Sequence, residues 1–130
     1  MGIRYLWDTN TAIYYLQKQL PIAAEKFVDD MLQQDLPIIS AITEIELLCW
    51  KAATRKDEEI LHSFVNDSFV IELEQPIKLR TANIRKQYKI KLPDAIIAAT
   101  ALVYNLTLIT RNSTDFKNVE GLHLIDLFNL

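Results

Sequence analysis

The sequence predicts an α/β fold, a three-layer α/β/α domain around a central, mostly parallel sheet of four to five strands. Short segments rich in branched and aromatic residues alternate with longer helical segments, which is typical of parallel βαβ units. The chain has 130 residues, half of them apolar, which is sufficient for one core. No linker, repeat or low-complexity region interrupts it, so we expect one domain over residues 1–130.

The first strand is predicted at Ile3–Trp7, where aromatic and branched residues precede Asp8-Thr9-Asn10. These three polar residues are good helix N-caps, so the strand feeds a helix, predicted at Thr11–Gln19. A second helix begins at Pro21, since proline suits the first helical turn, and runs to about Gln34. The next short strand is predicted at Leu36–Ser40.

The third helix takes in most of the stretch Ile39–Trp50 and continues to about Ala53. The last of the six predicted helices opens at Leu92-Pro93-Asp94 and ends at Asn105, a residue that tolerates the left-handed conformation after a helix. The elements predicted elsewhere after the third helix are the helices Asp57–Asn66 and Pro76 to about Lys89, and the strands Phe69–Leu73, Leu106–Thr110 and His123–Ile125.

Composition excludes several classes of site. With glycine only at positions 2 and 121, neither a P-loop nor a dinucleotide-binding fingerprint is possible. Cys49 is alone, and the two histidines lie far apart in sequence, so neither an internal disulfide nor zinc-ligand spacing is present. No apolar run reaches the roughly 18 residues of a membrane span, and the first residues lack a signal-peptide pattern. We therefore expect a soluble cytoplasmic protein.

Charge is unevenly distributed around a net value of −3. Between Gln75 and Leu92 there are six basic residues and no acidic one, which leaves eight basic and seventeen acidic residues elsewhere. One interpretation is a solvated helix face, and the other is a surface that contacts nucleic-acid phosphates. The six basic residues of this strip are Lys78, Arg80, Arg85, Lys86, Lys89 and Lys91.

Three aspartates stand at predicted strand ends or helix starts. Asp8 follows the first strand and suits a helix N-cap, Asp94 suits the positive end of a helix dipole, and Asp115 suits a turn in the loop after the fourth strand. Each residue has an ordinary explanation by itself. In parallel α/β folds, however, ligands bind beyond the carboxyl ends of the strands, where the strand order reverses.

The third helix carries two glutamates, which helical geometry separates. At roughly 100° per residue, Glu46 borders the apolar stripe, whereas Glu44 points away toward solvent near Lys51. A carboxylate beside apolar side chains loses hydration, so Glu46 is the one that needs an explanation. Cys49 is expected to be a small core residue. The predicted apolar stripe is Ile42, Ile45, Leu48, Cys49 and Ala52.

Convergence of Asp8, Glu46, Asp94 and Asp115 at one sheet edge would have a chemical consequence. Carboxylates about 4 Å apart repel by roughly 1 kcal/mol per pair in water and about 4 kcal/mol at an effective dielectric of 20. Such a cluster requires a cation, and oxygen ligands without histidine or cysteine favour Mg²⁺ or Mn²⁺. Together with a basic strip, this predicts metal-assisted phosphodiester hydrolysis.

Four motifs resemble, in order and spacing, those of PIN-domain ribonucleases, particularly the VapC-type toxins of bacterial toxin–antitoxin pairs. They are DTN at Asp8, ITEIELL around Glu46, PDAIIAATAL at Asp94, and LITRNSTDF containing Asp115. The resemblance covers essentially the whole chain. It implies a parallel-sheet PIN fold, Mg²⁺- or Mn²⁺-dependent cleavage of single-stranded or looped RNA, frequent homodimers, and a cognate antitoxin that blocks the acidic pocket.

The resemblance assigns the acidic quartet to Asp8, Glu46, Asp94 and Asp115 and implies supporting roles for three polar residues. The supporting residues are Thr9, Thr110 and Asn112. Arg111 and the basic strip, in particular Lys78, Arg85, Lys86, Lys89 and Lys91, are candidate contacts for RNA phosphates.

The sequence departs from the family pattern at two places. Cys49-Trp50 replaces a glycine common soon after Glu-Leu-Leu, and Asn105 stands where another glycine is common. Asparagine accepts the same backbone conformation as glycine at the second position. The first departure affects the length of the third helix and the contacts near it.

Our hypothesis is a metal-dependent endoribonuclease in which Asp8, Glu46 and Asp94 hold the metal, and Asp115 completes the site or positions the nucleophilic water. Two rivals are non-catalytic. One is a receiver-like module, although its acidic pair and the Asp after its middle strand are missing. The other is a catalytically silent PIN domain that acts only as a scaffold.

Overall fold

A five-stranded parallel sheet forms the centre of the protein. The structure is a computed structural model that describes residues 3–130. The strand order is β3-β2-β1-β4-β5, and each of the four pairings is parallel. The strands are β1 (Tyr5–Trp7), β2 (Ile38–Ser40), β3 (Phe69–Ile71), β4 (Thr107–Thr110) and β5 (Leu124–Asp126). The predicted α/β class is confirmed, and the larger of the two predicted strand numbers is the observed one.

Helices connect these strands at nearly all of the predicted places. They are α1 (Thr9–Leu16), α2 (Ile22–Leu32), α3 (Ala41–Leu48), α4 (Arg55–Asp67), α5 (Gln75–Gln87), α6 (Leu92–Val103) and α7 (Ser113–Phe116), and a 3₁₀ helix, Leu127–Asn129, follows β5. None of the helices within residues 3–130 is both long and apolar enough to cross a membrane.

The boundaries differ from prediction where local hydrogen bonds decide them. α1 begins two residues earlier than predicted because Asp8 is its N-cap, with the carboxylate accepting the Thr9 N–H. α3 ends at Leu48 rather than near residue 53, and α7 was not predicted at all. Asn105 has φ +54°, so its predicted left-handed conformation after α6 is confirmed.

Helices cover both faces of the sheet, which confirms the three-layer arrangement. Successive residues of each strand point to opposite faces, so that Leu6 and Leu108 lie in one core and Trp7 and Ile109 in the other. The first core is closed by α5, α6 and α7, and the second by α1, α2 and α4. The central strands are therefore buried on both sides and hold their ends rigidly.

The strand order reverses next to β1. The chain adds β2 and β3 on one side of β1 and then returns to add β4 and β5 on the other. Trp7 pairs with Ile109, and the next residue, Asp8, donates its N–H to the Ile109 carbonyl at 3.1 Å. The carboxyl ends of β1 and β4 thus meet at the position where folds of this kind bind ligands.

Candidate active site

Asp8 is held at the reversal point by two donors. Its Oδ1 accepts the Thr9 N–H at 2.8 Å, and its Oδ2 accepts the Thr110 hydroxyl from the end of β4 at 2.7 Å. The residue is only 4% exposed. Burial raises the pKa of Asp8 to about 6, with the Thr110 hydrogen bond opposing the rise and the nearby charges of Asp94 and Glu46 adding to it. Asp8 is thus a buried acid that the fold tolerates as a carboxylate only at a cost.

Glu46 reaches the same place from the second half of α3. Its Oε1 accepts the hydroxyl of Thr9 at 2.6 Å, although the two residues belong to different helices. The side chain is half-buried. Glu44, predicted to face solvent, is also half-buried, and it lies in the first turn of α3.

A chain of buried hydroxyls fixes the position of Thr9 and, through it, Glu46. Ser40, the N-cap of α3, donates its hydroxyl to Thr43 Oγ1 at 3.2 Å, and Thr43 and Thr9 hydroxyls lie 3.0 Å apart. Each hydroxyl has one proton, so Thr9 donates to Glu46, Thr43 to Thr9, and Ser40 to Thr43. All the dipoles therefore point toward the carboxylate, an arrangement that strengthens each bond.

Asp94 enters the site from the first turn of α6 and is half-buried. Burial raises its pKa above the usual value, the charges of Asp115 and Glu46 raise it further, and Lys91, the N-cap residue of α6, lowers it in part. The small residues Ala95 and Ala98 follow in the helix and are fully buried. The first turn of α6 thus places Asp94 where it interacts with the charges of Glu46 and Asp115.

Asp115 lies five residues after the end of β4. It was predicted in a loop, but it belongs to the short helix α7, and it is exposed. Phe116, which is completely buried, anchors this helix in the first core. The negative charge of Asp115 raises the pKa of Asp94, so the two carboxylates interact electrostatically.

The first three acids line one pocket of about 370 Å³. Asp115 is not among its lining residues, so three of the four predicted acids share this pocket and the fourth does not line it. Within residues 3–130, the single ion pair lies elsewhere, between Arg55 and Glu59. The pocket also contains Thr9, Asn10, Ile13, Cys49, Trp50 and Lys51.

The residues present fit a hard divalent cation by their chemistry. The charged donors are carboxylate oxygens, which Mg²⁺ and Mn²⁺ prefer, and Asp8 has acceptor capacity left beyond its two hydrogen bonds. Over the described part of the chain, no group of three or more Asp, Glu, His or Cys side chains has the spacing of a complete metal site. The pocket therefore suits Mg²⁺ or Mn²⁺ in the type and charge of its donor atoms. Mg²⁺ commonly completes its coordination shell with water molecules.

The three supporting residues differ in what they contribute. Thr9 and Thr110 each donate a hydroxyl to an acid of the pocket. Asn112 contributes its backbone instead of its side-chain amide, since its N–H donates to Thr110 Oγ1 at 2.9 Å. This bond orients the Thr110 hydroxyl toward Asp8.

Arg111 is engaged in a local cluster. Its guanidinium donates to the Tyr14 hydroxyl at 2.6 Å and lies 4.4 Å from the centre of the Phe128 ring. Burial acts to raise the pKa of Asp126, but the pKa is nevertheless held below its usual range. Hydrogen bonds from Asn129, the Phe128 N–H and Ser113 lower it, and the positive charge of Arg111 lowers it further. Arg111, which directly follows β4, thus joins this strand end to α1 and to the C-terminal 3₁₀ helix.

The basic strip lies on the exposed side of α5 and in the connection to α6. Lys78, Arg85, Lys86, Lys89 and Lys91 are all exposed. α5 buries Ile77, Thr81 and Ile84 on the opposite side. Because Lys91 influences Asp94, the strip ends at the acidic site.

The predicted apolar stripe of α3 was wrong in part. Thr43 and Leu47 form the buried face, whereas Ile45 and Leu48 are about half exposed and Cys49 is exposed. Both faces of this short helix are apolar, so periodicity could not distinguish them. The roles of Ser40 and Thr43 were not predicted, although a serine at the start of a buried helix was a signal for the N-cap.

Comparison with known proteins matches residues 5–122 to the PIN domain family. Among curated proteins, the tRNA(fMet)-specific endonuclease VapC of Shigella flexneri is 26% identical over 132 residues, covering 95% of this chain and 98% of that protein. A chain of a toxin–antitoxin complex from Klebsiella pneumoniae is 31% identical, with a TM-score of 0.77 and coverage of 97% of this chain and 99% of that one.

A structural likeness extends to more distant proteins. A chain of the DNA-bound VapBC from Salmonella typhimurium has a TM-score of 0.80 at 22% identity, covering 97% of this chain and 99% of that one. At this identity the likeness shows the fold alone. The predicted parallel α/β/α arrangement is therefore shared with solved structures over almost the whole chain.

Proposed function

Because this chain belongs to the PIN-domain family, we propose that it is an Mg²⁺- or Mn²⁺-dependent endoribonuclease and the toxin of a toxin–antitoxin pair. The family membership confirms the resemblance predicted from the four motifs. The nuclease activity is supported by the similarity to an endonuclease named VapC. The single observation that carries the proposal is the buried Asp8, with its pKa raised to about 6, in a pocket shared with Glu46 and Asp94.

In this proposal Asp8, Glu46 and Asp94 hold the metal directly or through water, and Asp115 completes the site or positions the attacking water. A bound Mg²⁺ or Mn²⁺ supplies a lowered pKa for its water and neutralises negative charge on the leaving oxygen. Thr110 keeps Asp8 in place, and the hydroxyl chain from Ser40 through Thr43 and Thr9 keeps Glu46 in place.

The reaction would be hydrolysis of a phosphodiester bond. A water oxygen attacks phosphorus, the bond from phosphorus to one bridging oxygen breaks, and a proton goes to the leaving oxygen. The phosphates on either side of the cleaved bond are proposed to contact the basic strip, in particular Lys91, whose charge acts on Asp94. We also propose a cytoplasmic location, because the proposed substrate is RNA.

Paired substitutions test this assignment. Asp8→Asn and Asp94→Asn should abolish Mg²⁺-dependent cleavage of total tRNA, while circular dichroism reports an unchanged fold. Glu44→Gln is the matched control, since this residue lies in the same helix as Glu46 but does not line the pocket. Retained cleavage in both aspartate variants would refute the catalytic assignment.

The alternative is a catalytically silent PIN domain that binds a metal or a partner. Thermal unfolding with and without Mg²⁺ or Mn²⁺, together with cleavage assays, separates the two functions. A metal-dependent rise in melting temperature without cleavage of any RNA would favour the silent domain.

We also propose a cognate antitoxin and a homodimer as partners. The antitoxin is supported by the similarity to a chain of a toxin–antitoxin complex from Klebsiella pneumoniae. Coexpression with the neighbouring reading frame should yield a stable complex that lacks nuclease activity. Light scattering of the chain alone measures its oligomeric state, and a monomer at working concentration would refute the homodimer.

A further inference from the structure

The pocket of the three acids contains an aromatic side chain that the proposed metal chemistry does not use. Trp50 lines this pocket and is 42% exposed, in contrast to Trp7, which is 1% exposed. Within the described residues, the aromatic pairs do not include Trp50. A single exposed apolar residue needs no explanation by itself. A large, partly exposed ring in the same pocket as three acidic side chains does need one.

The backbone after α3 holds Trp50 on the side of Glu46. The Cys49 N–H donates to the Ile45 carbonyl at 2.9 Å, and the Trp50 N–H donates to the Leu47 carbonyl at 3.2 Å. The helical course therefore continues beyond the last residue of α3. Residues four apart on such a course are neighbours, so Trp50 lies one turn from Glu46.

A cation accompanies the ring. Lys51 also lines the pocket, is exposed, and forms no ion pair within residues 3–130. The acids repel phosphate except where a metal binds, so an RNA strand needs other attractive contacts on both sides of the cleaved bond. An aromatic face for a base and an ammonium group for a phosphate are the contacts that single-stranded RNA uses.

We propose that Trp50 stacks on a base next to the cleaved phosphate and that Lys51 contacts the adjoining backbone. This inference rests on the proposed nuclease function and adds a substrate contact to it. The substrate is thus RNA with an unpaired base at the cleavage position, because a base inside a duplex cannot reach the ring. The ring contributes binding and positioning and takes no part in bond breaking.

Tryptophan fluorescence tests the contact directly. Trp7 is buried against Tyr15 and Phe64, so changes caused by added RNA report mainly on Trp50. The titration uses the Asp94→Asn protein with Mg²⁺, so that the RNA stays intact. The probes are a short single-stranded oligo(A) RNA and an abasic oligomer of equal charge.

Oligo(A) should quench the emission of the protein that retains Trp50. The affinities of all the variants are measured by the fluorescence anisotropy of end-labelled RNA, and Trp50→Ala in the same background should weaken oligo(A) binding roughly 5- to 150-fold, the effect of about 1–3 kcal/mol for one stacked base. Trp50→Phe should retain most of the affinity, and the abasic oligomer should bind all three proteins alike. Leu48→Ala is the matched control, being 49% exposed at the same helix end but outside the pocket, and should leave binding unchanged. With Asp94 intact, the loss in Trp50→Ala should fall mainly on KM.

Equal binding of oligo(A) by the Trp50→Ala and unchanged Trp50 proteins would overturn the base contact while leaving the nuclease proposal intact. Equal RNA binding with lost binding of the purified antitoxin would overturn it in favour of a protein contact. Cleavage of RNA by the Asp94→Asn protein would count against the role of Asp94, and a lack of RNA cleavage by the unaltered protein would refute the proposed function. In either case the affinities of the Trp50 variants for the abasic oligomer and oligo(A) would decide the base contact separately.

Discussion

Replacing Asp8 by asparagine should remove activity and yet stabilise the protein at neutral pH in the absence of metal. In the folded chain the pKa of Asp8 is about 6, against an ordinary value of 3.8. The folded state therefore binds the proton more tightly than the unfolded state. Ionisation of Asp8 is a destabilising event that begins as the pH rises above about 4 and is complete above about 6.

The structure gives the size of this effect. A pKa of about 6 instead of 3.8 corresponds to about 3 kcal/mol at a pH well above 6. Asparagine removes the charge but keeps one oxygen acceptor, so one of the two hydrogen bonds to Asp8 is weakened, at roughly 0.5–1.5 kcal/mol. We expect Asp8→Asn to gain about 2 kcal/mol near pH 7.5, which raises the melting temperature by roughly 5–10 °C.

Urea and thermal unfolding in EDTA, followed by circular dichroism at about pH 4.5 and 7.5, measure the difference. The gain should be present at the higher pH and shrink at the lower pH, where Asp8 is largely protonated in the folded state. Asp35→Asn is the control, because Asp35 is exposed in a loop and its replacement should change the stability by less than about 0.5 kcal/mol. A loss of stability near pH 7.5 would show that Asp8 serves mainly as a helix cap and would refute the reasoning.

Three further predictions concern other parts of the fold. Thr110→Val removes the donor to Asp8 Oδ2, so the pKa of Asp8 should rise further and the free energy of unfolding should fall by about 1–3 kcal/mol in urea. Asn105→Ala places a Cβ without a polar group at φ +54° and should lower the unfolding free energy by about 1 kcal/mol, whereas Asn105→Gly should not; equal melting temperatures would contradict the left-handed conformation. The double variant Lys86→Gln, Lys89→Gln should bind single-stranded RNA with a weaker salt dependence. The slope of log affinity against log salt concentration should become smaller in magnitude by about 0.7 per replaced lysine, and an unchanged slope would exclude these lysines from RNA binding.

The elements with strong local signals were predictable from sequence. The five strands and six longer helices have apolar segments bounded by caps, prolines and asparagine, and Asn105 adopted the expected conformation. The positions of Asp8 and Asp94 followed from the same local rules, because one ends a buried strand and the other begins a helix.

Other features depend on tertiary contacts that no local pattern contains. α7 has four residues, too few for a periodic signal, and it is fixed by the burial of Phe116. The hydroxyl chain joins Thr9 to Thr43 across 34 positions of sequence. The exposed side of α3 was mistaken for core because Ile45 and Leu48 are apolar although both are about half exposed, and only the packing of Leu47 reveals the orientation of the helix.

The reversal of strand order has a consequence for the timing of synthesis. Asp8 emerges from the ribosome first, but its second hydrogen-bond donor is Thr110, and β1 lacks one neighbour until β4 has been made. A nascent or prematurely released polypeptide that ends before residue 107 therefore lacks both the strand that pairs with β1 and the Thr110 hydroxyl that holds Asp8. We therefore expect the proposed nuclease activity to arise only after β4 has been synthesised.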